Sequence, residues 1–178
     1  MFGPTRYIQW ALQFYGQVPY DLAASGIPSA TWSDLGVATP DIGDPTAYKA
    51  LPAAIAKHTC RPAEEVVPAL GTSNAIYLAY ASICSPGDSV LVETPGYEPL
   101  TRTAEGLGIE VRTFPRAEKD GFAIEPERVA ALMTPRTRAI VVTRLHNPTG
   151  VGVSDDAIRE LAKIADAQGA YVIVDEVY

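Results

Sequence analysis

Residues 139–178 read AIVVTRLHNPTGVGVSDDAIRELAKIADAQGAYVIVDEVY, and their pattern is that of one βαβ unit. Two apolar runs, 139–143 and 171–174, are typical of buried strands, and a helix-patterned segment separates them. A crossover through a helix returns the chain in its original direction. We therefore expect the two strands to be parallel, with their carboxyl ends at the same edge of one sheet.

Polar residues begin where each of these strands is predicted to end. HNPTG follows the first strand at 146–150, and DEVY follows the second at 175–178. Because ligands of open α/β sheets bind at the carboxyl ends of the strands, the two polar clusters are predicted to face one crevice. Each cluster also has a purely structural interpretation, since Asn-Pro-Thr-Gly is a good turn by composition and Asp175 is a suitable helix cap.

Several residues near these clusters receive no chemical role. His146 is predicted to be a structural hydrogen-bonding residue. Arg144 faces either a ligand anion or the solvent, and Glu176 is interpreted as a solvated or packing carboxylate. The crossover helix has Ser154 as its N-cap and Gly169 at its end, and its exposed face carries no predicted function.

Strands and helices also alternate through the chain before this unit. Helices are predicted at 71–84, 99–106 and 126–133, strands at 89–93 and 109–114, and a turn into a further strand at 62–70. This alternation predicts an α/β fold, in which a mostly parallel sheet is covered by helices on both faces.

The N-terminal part of the chain has a different character. Residues 1–44 are interpreted as an arm and loop segment, with an amphipathic helix at 5–16 and mostly loop after it. A larger domain, 45–178, follows and opens with a helix at 45–58, in which Pro52 predicts a kink or a late start.

Two places in this larger domain suit a ligand. Gly71 precedes a helix that Thr72 or Ser73 would cap, and free N–H groups at such a helix end attract a phosphate. Tyr97 comes just past a strand end, behind a Pro-Gly turn, where it is placed to cover a flat ring. The structural alternatives are a glycine that merely permits a turn and a tyrosine on the surface.

Four stretches, taken in their order and spacing, resemble the class I/II aminotransferases, which are fold type I pyridoxal-phosphate enzymes. The stretches lie at 71–73, 95–97, 147–150 and 175–178. The resemblance implies pyridoxal 5'-phosphate as the cofactor. It also implies a reaction that moves an amino group between an amino acid and a 2-oxo acid.

The resemblance assigns cofactor contacts residue by residue. Gly71, Thr72 and Ser73 hold the phosphate, mainly through main-chain N–H groups, and Tyr97 stacks on the pyridine ring. Asp175 holds the protonated ring nitrogen. Asn147 and Tyr178 are donors that stabilise the phenolic oxygen.

Two further residues match the family more loosely. Gly26, next to Ser25, corresponds to a glycine-containing stretch that comes close to the substrate carboxylate. Tyr48 corresponds to the aromatic residue that family members send into the phosphate site of the neighbouring subunit.

The resemblance also implies parts that these residues do not supply. The family's Schiff-base lysine lies beyond the stretch that matches 175–178, and none of the lysines of this sequence matches it, so no catalytic residue is assigned. We therefore expect the chain to be the N-terminal half of an enzyme that is a homodimer when intact, and to be inactive alone.

Three other functions are compatible with parts of the pattern. The first is a lyase, decarboxylase or cyclase on the same scaffold. The second is a ligand-sensing regulator in which an aminotransferase-like domain is joined to a DNA-binding domain. The third, a nicotinamide-binding Rossmann domain, lacks GxGxxG after the first strand.

Composition argues against several classes of protein. The 178 residues are 47% hydrophobic and 20% charged, which is ordinary for a globular domain, and a net charge of −7 offers no basic surface for nucleic acid. Cys60 and Cys84 form neither a disulfide framework nor a zinc pattern, which suits a cytoplasmic protein. The sequence predicts neither a signal peptide nor a membrane span.

Overall fold

The computed structural model describes residues 2–20, 26, 30–39 and 45–178. The chain divides into two compact units, one made of Met1–Ala11 with Leu70–Tyr178 and the other of Leu12–Ala69. No helix in the described ranges is both long and apolar enough to cross a membrane.

The first unit is built on one sheet of four parallel strands. The strands are β1 (Ser89–Thr94), β2 (Glu110–Pro115), β3 (Thr137–Thr143) and β4 (Tyr171–Asp175), in the spatial order β2-β1-β3-β4. Thr94 lies opposite Pro115, and Thr143 lies opposite Asp175, so the carboxyl ends of the strands share one edge of the sheet. The parallel arrangement predicted from the sequence is confirmed.

Helices cover both faces of this sheet, as the alternation predicted. On one face lie α3 (Gly71–Ile83) and α4 (Glu98–Gly106), and on the other lie α5 (Pro126–Leu132) and α6 (Asp155–Asp166). The side chains of a strand alternate between faces. Accordingly, one core contains Val90, Val92, Ala139 and Val141, and the other contains Leu91, Ile140 and Val142.

The two faces follow from the strand order. The chain moves from β1 outward to β2 through α4, then returns past β1 to β3 through α5. Crossovers between parallel strands are right-handed. The crossover from β2 to β3 runs across the sheet in the opposite direction to the crossover from β1 to β2, so its helix lies on the opposite face. The reversal makes β1 and β3 neighbours at a switch point, where open α/β sheets form a crevice.

The crossover helix α6 begins as its sequence predicts. Ser154 precedes it, and its hydroxyl oxygen accepts a hydrogen bond from the Ala157 N–H at 3.2 Å. The helix ends at Asp166, and Gly169 follows with a left-handed φ of +64°.

Two predicted elements near the N-terminus differ in the structure. The first helix, α1, spans only Arg6–Ala11 instead of 5–16, and residues 12–17 form turns. It buries none of its residues, and a helix this short without packing has little to extend it. In the second unit, α2 runs without interruption over Pro45–Thr59, so Pro52 lies inside a helix that does not start late.

The strand predicted within 62–70 is wrong. A three-residue 3-10 helix, Ala63–Glu65, is followed by irregular chain up to Leu70. Val67 is 75% exposed and Leu70 is 93% exposed, so this apolar run joins no core. Pro68 lacks the N–H that a sheet would need, which further disfavours a strand here.

The N-terminal arm of the first unit packs against α3 and α4. The Phe2 ring lies 6.2 Å from that of Tyr77, and a β-carbon added to Gly106 would stand 2.1 Å from the Phe2 ring. The Tyr7 backbone N–H donates to Glu98 Oε2 at 3.0 Å. Glycine at position 106 therefore provides the space that Phe2 occupies.

Candidate functional site

The predicted site residues of the first unit lie where β1, β3 and β4 end. Tyr97 follows β1, Asn147 follows β3, and Asp175 is the last residue of β4. Thr143, at the end of β3, pairs in register with Asp175. The two polar clusters that the sequence places after β3 and β4 therefore lie at one edge of the sheet, and Tyr97 follows the neighbouring strand β1 at the same edge.

Tyr97 is half-buried and is held by a tight turn. It packs against the core beneath α3 and α4. A β-carbon added to the preceding residue, Gly96, would stand 2.6 Å from the Glu93 carbonyl oxygen, closer than side chains approach. Glycine at position 96 therefore lets the chain turn back over the end of β1 and directs Tyr97 inward.

Electrostatic interactions show which groups surround the Tyr97 phenol. Burial raises its pKa, and a side-chain hydrogen bond with Ser73 opposes that rise. Negative charge on Asp175, Tyr178 and Tyr7 also raises the pKa, so these groups lie close enough to act on one hydroxyl. The structure therefore brings Ser73, Tyr97, Asp175 and Tyr178 together, and it adds Tyr7 from the arm, which sequence reasoning did not include.

The start of α3 differs from the predicted cap. Leu70 takes the N-cap position without a side-chain hydrogen bond, and the Leu70 N–H is instead accepted by Asn74 Oδ1 at 3.1 Å. Neither Thr72 nor Ser73 caps the helix, because both lie within its first turn, after Leu70. Gly71 has a φ of +77°, which a residue with a β-carbon rarely adopts. Without a side-chain cap, the first-turn N–H groups are suited to an anion.

Asn147 sits in a closed loop between β3 and α6. Its backbone N–H donates to Thr143 Oγ1 at 3.0 Å. The His146 N–H donates to the Val151 carbonyl at 2.9 Å, and the Gly150 N–H donates to the His146 carbonyl at 2.7 Å. Among the described residues, the Asn147 side-chain amide has no hydrogen-bond partner, so both of its ends remain available to a ligand.

Asp175 is a half-buried carboxylate without a cation beside it. Burial raises its pKa, and the hydrogen bond that Oδ1 accepts from the Val177 N–H, at 3.2 Å, only partly opposes this. No ion pair reaches Asp175 from the part of the chain that the structure describes. A positively charged group placed here would stabilise the ionised form and reverse the effect of burial.

Sequence reasoning missed a buried ion pair just below the site. Glu93 Oε2 accepts a hydrogen bond from Arg116 Nη1 at 2.9 Å, and both side chains are completely buried. Glu93 Oε1 accepts from the Thr143 N–H at 2.6 Å and also from the Thr143 hydroxyl. A glutamate within the apolar strand sequence SVLVET was the available signal, because a buried carboxylate needs a partner.

Charged residues around the site have local partners. Arg144 forms ion pairs with Asp155 and Glu176, so its guanidinium faces carboxylates at the surface. Lys163 forms an ion pair with Glu160 on α6, and Lys119 Nζ lies 3.6 Å from Asp120 Oδ2.

His146 is the structural hydrogen-bonding residue that the sequence predicted. It is 1% exposed, and its two ring nitrogens contact Thr149 Oγ1 and the Pro95 carbonyl oxygen.

Gly26, Tyr48, Lys49 and Lys57 belong to the second unit. Gly26 and Tyr48 are both exposed, and the neighbour of Gly26, Ser25, lies outside the described residues. The substrate contact of Gly26 and the intersubunit role of Tyr48 stay predictions.

The groups gathered at the strand ends suit a flat, cationic heterocycle that carries a phosphate. Tyr97 offers an aromatic face, Asp175 a carboxylate without a cation, and Asn147 an unpartnered amide. The first turn of α3 offers N–H donors next to Ser73. This donor set matches the charge distribution of pyridoxal phosphate, whose ring nitrogen is positive and whose phosphate is negative.

Comparisons with known proteins agree with this chemistry. A family model for aminotransferase class I and II matches residues 37–178. The probable aspartate/prephenate aminotransferase of Thermus aquaticus is 38% identical over 118 residues, covering 65% of this chain and 30% of that protein. Capreomycidine synthase of Streptomyces vinaceus is 30% identical over 180 residues, covering 93% of this chain and 46% of that protein.

Solved structures show the same fold. A PLP-dependent aminotransferase from Streptococcus suis superimposes with a TM-score of 0.83 at 27% identity, covering 99% of this chain and 52% of that chain. The aspartate aminotransferase of Thermus thermophilus with maleate gives a TM-score of 0.69 at 30% identity, covering 72% of this chain and 35% of that one. The chain thus spans between about a third and a half of these proteins.

Proposed function

Because this chain belongs to the family of class I and II aminotransferases, we propose that the intact protein is a pyridoxal-phosphate-dependent aminotransferase. It moves an amino group between an amino acid and a 2-oxo acid. The chain matches only part of each related protein, so the full reaction belongs to the intact protein. The residues described above supply the cofactor-binding part of its site.

The position of Asp175 carries this proposal: it ends β4, lies in register with Thr143, and has no ion-pair partner among the described residues. Burial raises the pKa of this carboxyl, and no cation among the described residues offsets the effect. A protonated pyridine nitrogen in contact with Asp175 would form a charge-assisted hydrogen bond and would hold the carboxyl ionised. In turn, the carboxylate keeps the ring nitrogen protonated, which is the state in which the ring accepts electrons.

The other residues orient the ring. Tyr97 follows β1 behind the Gly96 turn and would stack on the flat face of the ring. Asn147 and Tyr178 would donate to the phenolic oxygen and stabilise its negative charge. The main-chain N–H groups of Gly71, Thr72 and Ser73 would receive the phosphate at the start of α3.

The cofactor, when bound, supplies an electron sink for the substrate's Cα. The chain's own part is to hold the ring in one orientation and to fix the proton on its nitrogen. The lysine that anchors the cofactor and moves the Cα proton is assigned to the remainder of the intact protein, since none of the lysines here matches it.

Asp175→Asn in the intact protein tests the proposal, with Asp156→Asn as the control. Asp156 is an exposed carboxylate on α6, so its loss leaves the ring nitrogen untouched. We expect Asp175→Asn to weaken cofactor binding, measured by absorption titration, and to abolish most transfer from amino acids to 2-oxoglutarate. Wild-type protein that neither binds pyridoxal phosphate nor releases keto acids from a panel of amino acids would contradict the proposal.

A synthase reaction on the same scaffold is the second candidate. The match to capreomycidine synthase covers 93% of this chain, whereas the match to the Thermus aquaticus aminotransferase covers 65%. The keto-acid assay separates the two, because a synthase consumes its amino acid without releasing the corresponding 2-oxo acid. A decarboxylase would likewise release no 2-oxo acid while still binding the cofactor. A lyase that eliminates a side-chain substituent would release a 2-oxo acid and ammonia without converting 2-oxoglutarate to glutamate.

We also propose that the intact protein is a cytoplasmic homodimer. The resemblance of the four site stretches to the class I/II aminotransferases supports the dimer, and the two isolated cysteines, Cys60 and Cys84, suit a reducing compartment. Light scattering on the purified intact protein and fractionation of the producing cells test the two statements separately.

A further inference from the structure

The buried Glu93–Arg116 pair is more elaborate than stability requires. Removing two charges from water is costly, and well-packed apolar side chains of similar volume often stabilise a core equally well. Here the carboxylate also accepts two hydrogen bonds from Thr143, and the Arg116 Nε donates to the Phe122 carbonyl at 2.6 Å. The pair therefore connects β1, β3 and the chain after β2.

One chain of hydrogen bonds that leaves this pair ends on the backbone of the loop that carries Asn147. The Thr143 hydroxyl donates to Glu93 and accepts from the Asn147 N–H at 3.0 Å. This connection fixes the start of the Asn147 loop against the end of β1.

His146 makes a second connection between the same two loops. Its Nε2 lies 2.8 Å from the Pro95 carbonyl oxygen, and its Nδ1 lies 2.7 Å from Thr149 Oγ1. Because a carbonyl oxygen only accepts, Nε2 carries a proton and donates it to the turn that precedes Tyr97. The same Nε2 lies 4.0 Å from Glu93 Oε2, beyond hydrogen-bond distance, so the two connections lie side by side and are separate.

We propose that Glu93, Thr143 and His146 are positioning residues that lock the loop carrying Tyr97 to the loop carrying Asn147. The inference rests on the proposed function, because it gives Tyr97 and Asn147 a common ligand. A pocket whose parts are fixed in advance binds its ligand with less loss of conformational entropy. Removing either hydrogen-bonded connection lowers the affinity for the cofactor ring and leaves the protein folded.

Thr137 is a matched control for Thr143. Both threonines are buried on β3, but Thr137 lies at the opposite end of the strand. Its hydroxyl lies 3.3 Å from Ser89 Oγ and accepts from the Thr134 N–H at 3.0 Å, and neither partner leads to the site loops. A valine at either position removes one buried hydroxyl from the same strand.

The test compares Thr143→Val, Thr143→Ser and Thr137→Val in the intact protein. Three quantities are measured: the Kd for pyridoxal phosphate, the pH midpoint of the bound cofactor's absorption, and the Tm of the cofactor-free protein. Losing the equivalent of one hydrogen bond predicts about a fivefold to tenfold weaker Kd for Thr143→Val. The pH midpoint should rise by about half a unit to one unit, because a misplaced Asn147 no longer stabilises the phenolic anion.

Two control variants separate positioning from stability. Thr143→Ser keeps the hydroxyl and should bind the cofactor as wild type does. Thr137→Val should lower Tm about as much as Thr143→Val while leaving the Kd and the pH midpoint unchanged.

His146→Phe decides the question if Thr143→Val does not fold. The phenyl ring keeps the packing against Phe122, whose ring lies 6.3 Å from that of His146, and removes both hydrogen bonds. We expect its Kd to rise by a similar factor. Wild-type binding in Thr143→Val or, if that variant is unfolded, in His146→Phe would overturn the inference while the proposed function stands. Wild-type protein that does not bind pyridoxal phosphate would overturn both.

Discussion

Glu93→Gln tests whether the carboxylate at the end of β1 is needed to compensate a buried charge. Glutamine keeps the shape and one carbonyl acceptor for Thr143, but it removes the negative charge that faces Arg116 at 2.9 Å. Arg116 is completely buried, and its Nη2 has no hydrogen-bond partner among the described residues. The variant would therefore leave a buried guanidinium with hydrogen bonds but without an opposing charge.

The expected loss of stability is large. Breaking a buried ion pair from one side costs about 3–5 kcal/mol, because the remaining charge stays desolvated. For a cooperative unit of about 150–250 residues each kcal/mol lowers Tm by about 2–4 °C, so the expected drop is about 6–20 °C. Calorimetry of the cofactor-free protein at neutral pH measures it.

The control is Asp156→Asn, which breaks an ion pair with Arg159 on the surface of α6. In that pair the arginine side chain is 64% exposed and the aspartate side chain is 92% exposed. Exposed pairs contribute about 0–1 kcal/mol, so this variant should unfold within a few degrees of wild type. A Glu93→Gln variant as stable as Asp156→Asn would refute the reasoning that the buried carboxylate compensates Arg116.

Three further predictions concern single residues. Gly96→Ala should lower the free energy of unfolding by about 1–3 kcal/mol and weaken cofactor binding. The added β-carbon would stand 2.6 Å from the Glu93 carbonyl oxygen and displace Tyr97. Denaturant titration measures the first effect, and the Kd for the cofactor measures the second. Ser154→Ala should cost about 1 kcal/mol in denaturant unfolding, because the Ala157 N–H loses its cap, whereas Ser154→Asp should stay near wild type. Asp175→Asn should stabilise the cofactor-free protein at pH 7, because burial raises the pKa of this carboxyl and its ionised form opposes folding. The gain in Tm should become smaller as the pH falls, because wild-type Asp175 then takes up its proton. A constant gain at every pH would contradict the last prediction.

The strands were predictable where an apolar run pairs with the sheet, although β3 is buried and β4, at the edge of the sheet, is only partly buried. The run at 139–143 became β3, and the run at 171–174 became β4, each extended by one or two residues. The run at 62–70 looked similar but is exposed, because burial depends on what packs against a segment. A short apolar segment does not carry that information.

The site was predictable in position and less so in its detail. Parallel pairing alone places Asp175 and the Asn147 loop at one edge, so the sequence indicated that much. Ser73 was wrong as a cap because α3 begins at Gly71, which places Ser73 inside the first turn. The Glu93–Arg116 pair joins a residue of β1 to a residue of the chain after β2. The hydrophobic periodicity of a sequence does not indicate a contact between two such distant residues.

The reversal of direction between β2 and β3 determines when the crevice can exist during folding. The pairing of β1 with β2 closes a shorter loop than the pairing of β1 with β3, and short loops cost less entropy to close. The half of the sheet that holds Tyr97 can therefore assemble before the half that holds Asn147. A ligand that contacts both halves therefore binds only after β1 has paired with β3.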